Sequence, residues 1–301
     1  MFFSLLRFVI RKFNYGMKFA LIIYNLKLYK EEHQMKVDIQ RMKDENAKII
    51  YQETAGLAII TIHRPQKRNA LTANMWKYLS ELGQRILDNP KNKVVILRGA
   101  GEQFTAGSDI KEFHQMSLEE AENSFIVMEE AISTFENLPI PTIGVINGPA
   151  MGAGLELALA CDLRIGSGKS RLGIPVGKLG ITLNNKFAQR IVNLIGPSLT
   201  KDLVYTGRVL KAEEAYRLGM LNYLVNDDVL DRFSIRMGKL VASQAPSSLL
   251  AVKQSVSQCV NSVPVLWKGS TPFIDKYDFP EGVAAFVEKR IPRFSRRSLL
   301  N

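Results

Sequence analysis

From residue 48 onward the apolar positions follow two alternating rhythms. Short unbroken runs, LAIITI at 57–62, VVIL at 94–97 and TIGVI at 142–146, read as buried strands. Between them apolar residues recur at helical spacing. One helix is predicted from about Thr72 to Leu87. Ser117, with Glu120 three residues on, has the form of a capping box. Behind it Leu118, Ala121, Phe125, Met128, Ile132, Phe135 and Leu138 mark one helical face, and Pro139 and Pro141 stop it. Further helices are predicted over about 187–195, 198–206, 211–218, 228–243 and 247–260. Strand–helix alternation of this kind implies an α/β layered fold, and no short-period repeat is visible.

One helix start breaks the pattern. In GPAMGAGLELALACD, Gly148–Asp162, three glycines crowd the opening, and Glu156 sits among Leu155, Leu157, Ala158 and Leu159. A glycine turn at a helix start presents unpaired N–H groups and lets a ligand approach the backbone. A second small-residue turn, FTAGSDIKEF at 104–113, also follows a strand. Two such loops facing each other would supply two N–H donors to one oxygen. Losing one donor of such an oxyanion hole typically costs roughly 10²–10³ in rate.

Composition narrows the class. The chain has 301 residues, 46% of them apolar, which suffices for a sizeable core. No stretch reaches the roughly 18–20 apolar residues of a membrane helix. Cys161 and Cys259 are the only cysteines, which points to reduced thiols. His33, His63 and His114 are scattered, so no metal site is expected. The net charge is +11, but residues 1–34 carry +4 of it and residues 286–301 another +4. Only +3 remains between them, with no basic stripe interleaved with aromatics, which argues against nucleic acid as partner. Phosphates on a small molecule would be served by the same field.

Five blocks in order, HRPQKRNAL (63–71), FTAGSDIKEF, PTIGVINGPAMGAGLELALACDLRI (141–165), YTGRVLKAEEAYRLGMLN (205–222) and EGVAAFVEKRIPRF (281–294), resemble the enoyl-CoA hydratase/isomerase, or crotonase, superfamily over roughly residues 48–294. The resemblance implies an α/β fold, a ClpP/crotonase-like spiral of ββα units with a C-terminal helical trimerisation region. It also implies homotrimers or homohexamers and an acyl-CoA thioester substrate, with no separate cofactor. By position, the thioester oxygen would be held by the N–H groups of Ser108 and Ala153. Ala106, Gly107 and Asp109 belong to the first of these loops and Gly152 to the second, and all four are expected to line the substrate site. Ile110 and Lys111 would meet the adenine end, and Phe286 and Lys289 the CoA entrance and phosphate. Glu156 falls on a catalytic glutamate that orients or deprotonates water. An apolar wall would raise its pKa toward useful base strength. The plainer reading is a first-turn glutamate serving only the helix dipole.

The chain departs from the pattern at one place. Hydratases carry a second glutamate about twenty residues later, and here RLGIPVGKLG puts Val176 there, in the substrate-lining stretch. No Asp or Glu occurs from Leu163 to Lys201. A substitute acid would have to come from the helix carrying Glu129 and Glu130, although their pattern reads as a solvated face. The leading expectation is a hydratase-like enzyme acting through a thioester enolate, in fatty acid metabolism or branched-chain degradation. A one-carboxylate relative (dehydratase, hydrolase or decarboxylase) and a non-catalytic CoA- or RNA-binding member remain as alternatives. The expected organisation is a basic extension over 1–47, a core over 48–245 and a helical region over 246–301. The expected location is cytoplasmic, or the mitochondrial matrix if residues 1–34 are a leader. That extension also fits a disordered tail, or translation starting at Met35 or Met42.

Overall fold

The structure, a computed structural model, describes residues 36–41, 48–244, 246–260, 274 and 278–290. The expectations for residues 1–34, and for most of 259–279 and of the basic C-terminal segment, lie outside the described residues.

Strands β1 (Lys36–Arg41), β2 (Lys48–Thr54), β3 (Leu57–His63), β4 (Val94–Gly99), β5 (Thr142–Ile146), β7 (Leu163–Ser167) and β10 (Tyr223–Val225) form one seven-stranded sheet in that spatial order. The first two pairings are antiparallel and the remaining four are parallel. The sheet thus begins at Lys36, ahead of the core boundary that the sequence suggested at residue 48. Strands β6 (Pro149–Met151), β8 (Arg171–Gly173) and β9 (Val209–Lys211) make a second, three-stranded sheet.

The continuous apolar runs have a simple cause: β3 to β5 are buried on both faces. Ala58, Ile60, Ile62, Val95 and Leu97 point into the larger core, against helices α1 (Ala73–Asp88) and α3 (Leu118–Glu136). Leu57, Ile59, Val94, Ile96, Ile143 and Val145 point the other way, against a late helix, Leu230–Ala242. Helix α2 (Ile110–Phe113) is one turn. The capping box at Ser117 is formed on α3, and Thr72 caps α1 by accepting from Met75 N–H.

Helix α4 (Ala153–Leu159) follows β6, and α5 (Asn185–Thr206) crosses it. The two helices expected at 187–195 and 198–206 are the halves of α5, which bends at Gly196 (φ 75°), just ahead of Pro197. Then come α6 (Ala212–Arg217), α7 (Leu230–Ala242), α8 (Pro246–Val260) and α9 (Asp278–Val287). Lys253 on α8 pairs with Asp162 at 2.9 Å, tying that helix to the start of β7. Helix α9 packs on α2, where Phe279 stands edge-on to Phe113 and Phe125, themselves stacked at 4.8 Å. No helix among the described residues is long and apolar enough to cross a membrane.

Candidate active site

The two loops singled out by their small residues meet. The first is shaped from beneath by Asn69, fully buried with φ 55°, whose amide donates to the Ala100 and Gln103 carbonyls at 2.9 and 2.8 Å. Thr105 Oγ1 donates to Asn69 O and accepts from Gly107 N–H. Gly107 has φ +89°, and a Cβ there would come within 2.7 Å of Met151 O and 3.2 Å of Ala153 N. A Cβ on Gly154 would come within 2.4 Å of Thr105 O. Only glycine permits this backbone-to-backbone approach, and it sets Ser108 beside the start of α4.

Ser108 sits in a parallel bridge with Leu71, which takes the Gly107 carbonyl and the Asp109 N–H at 2.8 and 2.9 Å. The bridge leaves the Ser108 N–H directed away from Leu71. Ala153 is the first residue of α4, a position whose N–H has no acceptor inside the helix. Neither N–H has a partner among the described residues. The Ser108 hydroxyl accepts from Trp76 Nε1 at 3.1 Å and reaches Met128 Sδ at 3.5 Å, so α1 and α3 both brace this loop.

One turn beyond Ala153, Glu156 is not walled by apolar groups alone. Its carboxylate accepts from Arg190 Nη1 at 2.7 Å. Arg190, on α5, also donates through Nη2 to Glu129 at 2.9 Å and to Glu136 at 2.7 Å, both on α3. Glu129 further accepts from Ser133 Oγ at 2.9 Å and from the Asn184 amide at 3.3 Å. The solvated face expected for Glu129 and Glu130 holds only for Glu130: Glu129 is fully buried, because it lies on the stripe of Phe125 and Ile132 that packs inward. Burial pushes the Glu156 carboxyl well above the ordinary 4.5, the Glu129 charge adds to this, and Arg190 opposes it. Burial also raises Glu136, but the Arg190 and Lys186 cations outweigh it and hold Glu136 below the ordinary value.

Residues 52–297 match the family described as enoyl-CoA hydratase/isomerase. The chain belongs to the enoyl-CoA hydratase/isomerase family. It is 33% identical over 257 residues to the enoyl-CoA isomerase/hydratase fer4 of Mycosarcoma maydis, covering 81% of this chain and 94% of that protein. It is 31% identical over 253 residues to the mitochondrial methylglutaconyl-CoA hydratase of Mus musculus, covering 81% of each. The crystal structure of an enoyl-CoA hydratase/carnitine racemase from Magnetospirillum magneticum superposes with a TM-score of 0.70 at 31% identity, covering 86% of this chain and 97% of that one. The fold is therefore the α/β crotonase fold, and the chain is an enzyme of this family.

The hydratase/isomerase frame sorts the other expected residues. Gly152 (φ 53°) is the turn that launches α4, its N–H bound to Gly173 O at 2.9 Å. Ala106 N–H is bound to Arg68 O at 3.0 Å. Asp109, expected to line the substrate site, is engaged within the protein: one oxygen accepts from Arg64 at 2.6 Å and the other caps α2 at Lys111 N–H. Ile110 is half-buried against the core, and Lys111 is exposed. Val176 begins a 3-10 turn, Val176–Lys178, and packs half-buried against the core that contains Leu155 and Leu157. Phe286 and Lys289 are exposed at the end of α9 remote from Phe279. Sequence reasoning missed Trp76, Asn184 and Arg190. Arg190 did carry a signal: three residues past Phe187 and next to Ile191, it is a charge at a core-facing position.

Proposed function

We propose that this enzyme adds water to a 2-enoyl-CoA thioester, or eliminates it from the 3-hydroxyacyl form. Ser108 and Ala153 N–H would hold the thioester oxygen, and Glu156 would act as the acid/base. The observation that carries the reading is the contact of the two loops at Gly107 and Gly154, which brings the Ser108 loop against the start of α4, where neither Ser108 nor Ala153 N–H has a partner among the described residues. Charge that spreads from the α-carbon as the β-carbon is attacked would settle on that oxygen, where donors fixed in advance cost no reorganisation. Glu156 stands one turn along the same helix. Ala106, Gly107, Gly152 and Val176 would border the thioester and acyl chain. Ile110 and Lys111 would meet the adenine end of CoA, Phe286 would line its entrance, and Lys289 would reach its phosphate.

Val176 favours a second reading, a one-carboxylate relative acting on a substituted acyl-CoA, because an aliphatic side chain neither gives nor takes a proton. A panel of thioesters including crotonyl-CoA and methylglutaconyl-CoA, followed by mass spectrometry, separates the two. Hydration of either, lost on Glu156→Gln with thioester binding retained, upholds the hydratase. Release of free acid or CO₂ instead selects the relative. Binding without any turnover removes the enzymatic role of Glu156. Assembly as a homotrimer or homohexamer and a place in fatty acid metabolism belong to the same proposal, and light scattering of the purified protein tests the first. The cytoplasm is the proposed location, with the mitochondrial matrix as alternative if residues 1–34 are a cleaved leader. Sequencing the mature N-terminus decides that point.

A further inference from the structure

Three helices converge on the Arg190 guanidinium. From α3 come Glu129, Ser133 and Glu136; from α4 comes Glu156; from α5 and its cap come Asn184, Lys186 and Arg190. Glu129 and Glu156 are sealed off, with side chains 0% and 2% exposed, and Arg190 is 5% exposed. Glu136 is at the rim, 32% exposed, and has Lys186 at 3.5 Å as a cation of its own. One guanidinium therefore serves two dry carboxyl groups, and its Nη1 alone touches both, Glu156 at 2.7 Å and Glu129 at 3.3 Å. Two carboxyl groups held on one nitrogen in a site closed to water do not both ionise, because the second charge would face the first unscreened.

We propose that Glu129 takes over from the carboxyl missing at Val176, holding one proton jointly with Glu156 at neutral pH while Arg190 clamps the pair. Glu129 is a positioning residue; Glu156 is the group that meets substrate. This inference rests on the hydratase reading. In the forward reaction a lone pair of water forms the C–O bond at the β-carbon, and the double-bond electrons move through the thioester enolate to the α-carbon. The proton on Glu156 goes to the α-carbon, and the proton released by the attacking water returns to the pair. The pair ends as it began, so one proton held in common does the work of an acid and a base.

The test uses the full chain labelled with ¹³C at the glutamate side-chain carboxyl, titrated by NMR without substrate, alongside crotonyl-CoA hydration across pH. In the parent, one carboxyl of the pair stays protonated at neutral pH. Glu129→Gln, which keeps the shape, removes the buried carboxyl beside Glu156 while Arg190 stays on Glu156 and Glu136, and moves the Glu156 titration down toward the ordinary range. At neutral pH kcat then falls by roughly a hundred-fold with KM nearly constant, activity recovers toward acid pH, and Glu129→Asp restores part of the parent profile. A parent in which both carboxyls are ionised at neutral pH overturns the proposal, and that measurement needs no variant to fold. So does a Glu156 titration unmoved by Glu129→Gln. A protonated pair that responds to Glu129→Gln in a parent without hydratase turnover upholds the joint proton and retires the hydratase reading alone.

Discussion

Removing the Arg190 guanidinium leaves Glu129 and Glu156 facing each other in a space closed to water, with Glu136 beside them. Truncating one side of a buried ion pair costs about 3–5 kcal/mol, because the partner charge stays behind. Arg190→Met is therefore expected to lower urea stability by about that amount, and adding Glu129→Gln to recover a good part of it. A loss below about 1 kcal/mol is the value for a solvated pair and would contradict the burial seen here. The same residues show where the sequence was legible. Ser108, Ala153 and Glu156 stood out because glycine turns and an acid in an apolar run are local signals. Glu129 and Arg190 are recognisable only once a helix face is known to point inward, since each takes its meaning from a partner 61 residues away. Asp109 shows the converse: its bond to Arg64, 45 residues earlier, has no local signal in the loop that carries it.

At the scale of elements, α9 decides how firmly the loop after Val176 is held. A Cβ on Gly282 would lie 2.3 Å from the Leu179 carbonyl carbon and 2.4 Å from its Cα. Main-chain atoms cannot swing aside as a side-chain end can, so Gly282→Ala forces helix and loop apart. Phe279 and Val283, 3% and 2% exposed, would lose part of their burial. The expected cost is about 1–3 kcal/mol, concentrated locally. Hydrogen exchange should show lost protection over 278–287 and 110–113 while β3 to β5 keep theirs. Unchanged protection in α9 would mean that the contact is not the one holding it. Elements were legible in proportion to their length and monotony. Apolar runs gave the strands buried on both faces, and the capping box at Ser117 gave one helix start. Strands β6, β8 and β9 have three residues each, too few to display a period, and exist because tertiary contacts hold them.

For the whole molecule, the balance of protons between folded and unfolded chains sets how stability varies with pH. Glu156 has a folded value above 4.5, so between the two values the folded chain binds the extra proton and stability declines as pH rises. Glu136 is lowered, so its contribution is complete above 4.5 and disappears as pH falls through its folded value. Burial pushes the Cys161 thiol from 9.0 up to about 12 and raises the Tyr51 hydroxyl as well, so a second decline begins above pH 9. Urea midpoints measured across pH should therefore fall as pH rises from the ordinary carboxyl value of 4.5, and fall again beyond 9. Glu156→Gln cannot ionise, so it should flatten the first decline and leave the second in place. Cys161→Ala should soften the second, from a baseline lowered by the small cavity it leaves. A parent whose midpoint climbs steadily from pH 5 to 8, with Glu156→Gln parallel to it, would show Glu156 already ionised at the acid end. The carboxyl pair would then hold no proton at neutral pH, and an acid able to deliver one to the α-carbon would have to be sought outside the three converging helices.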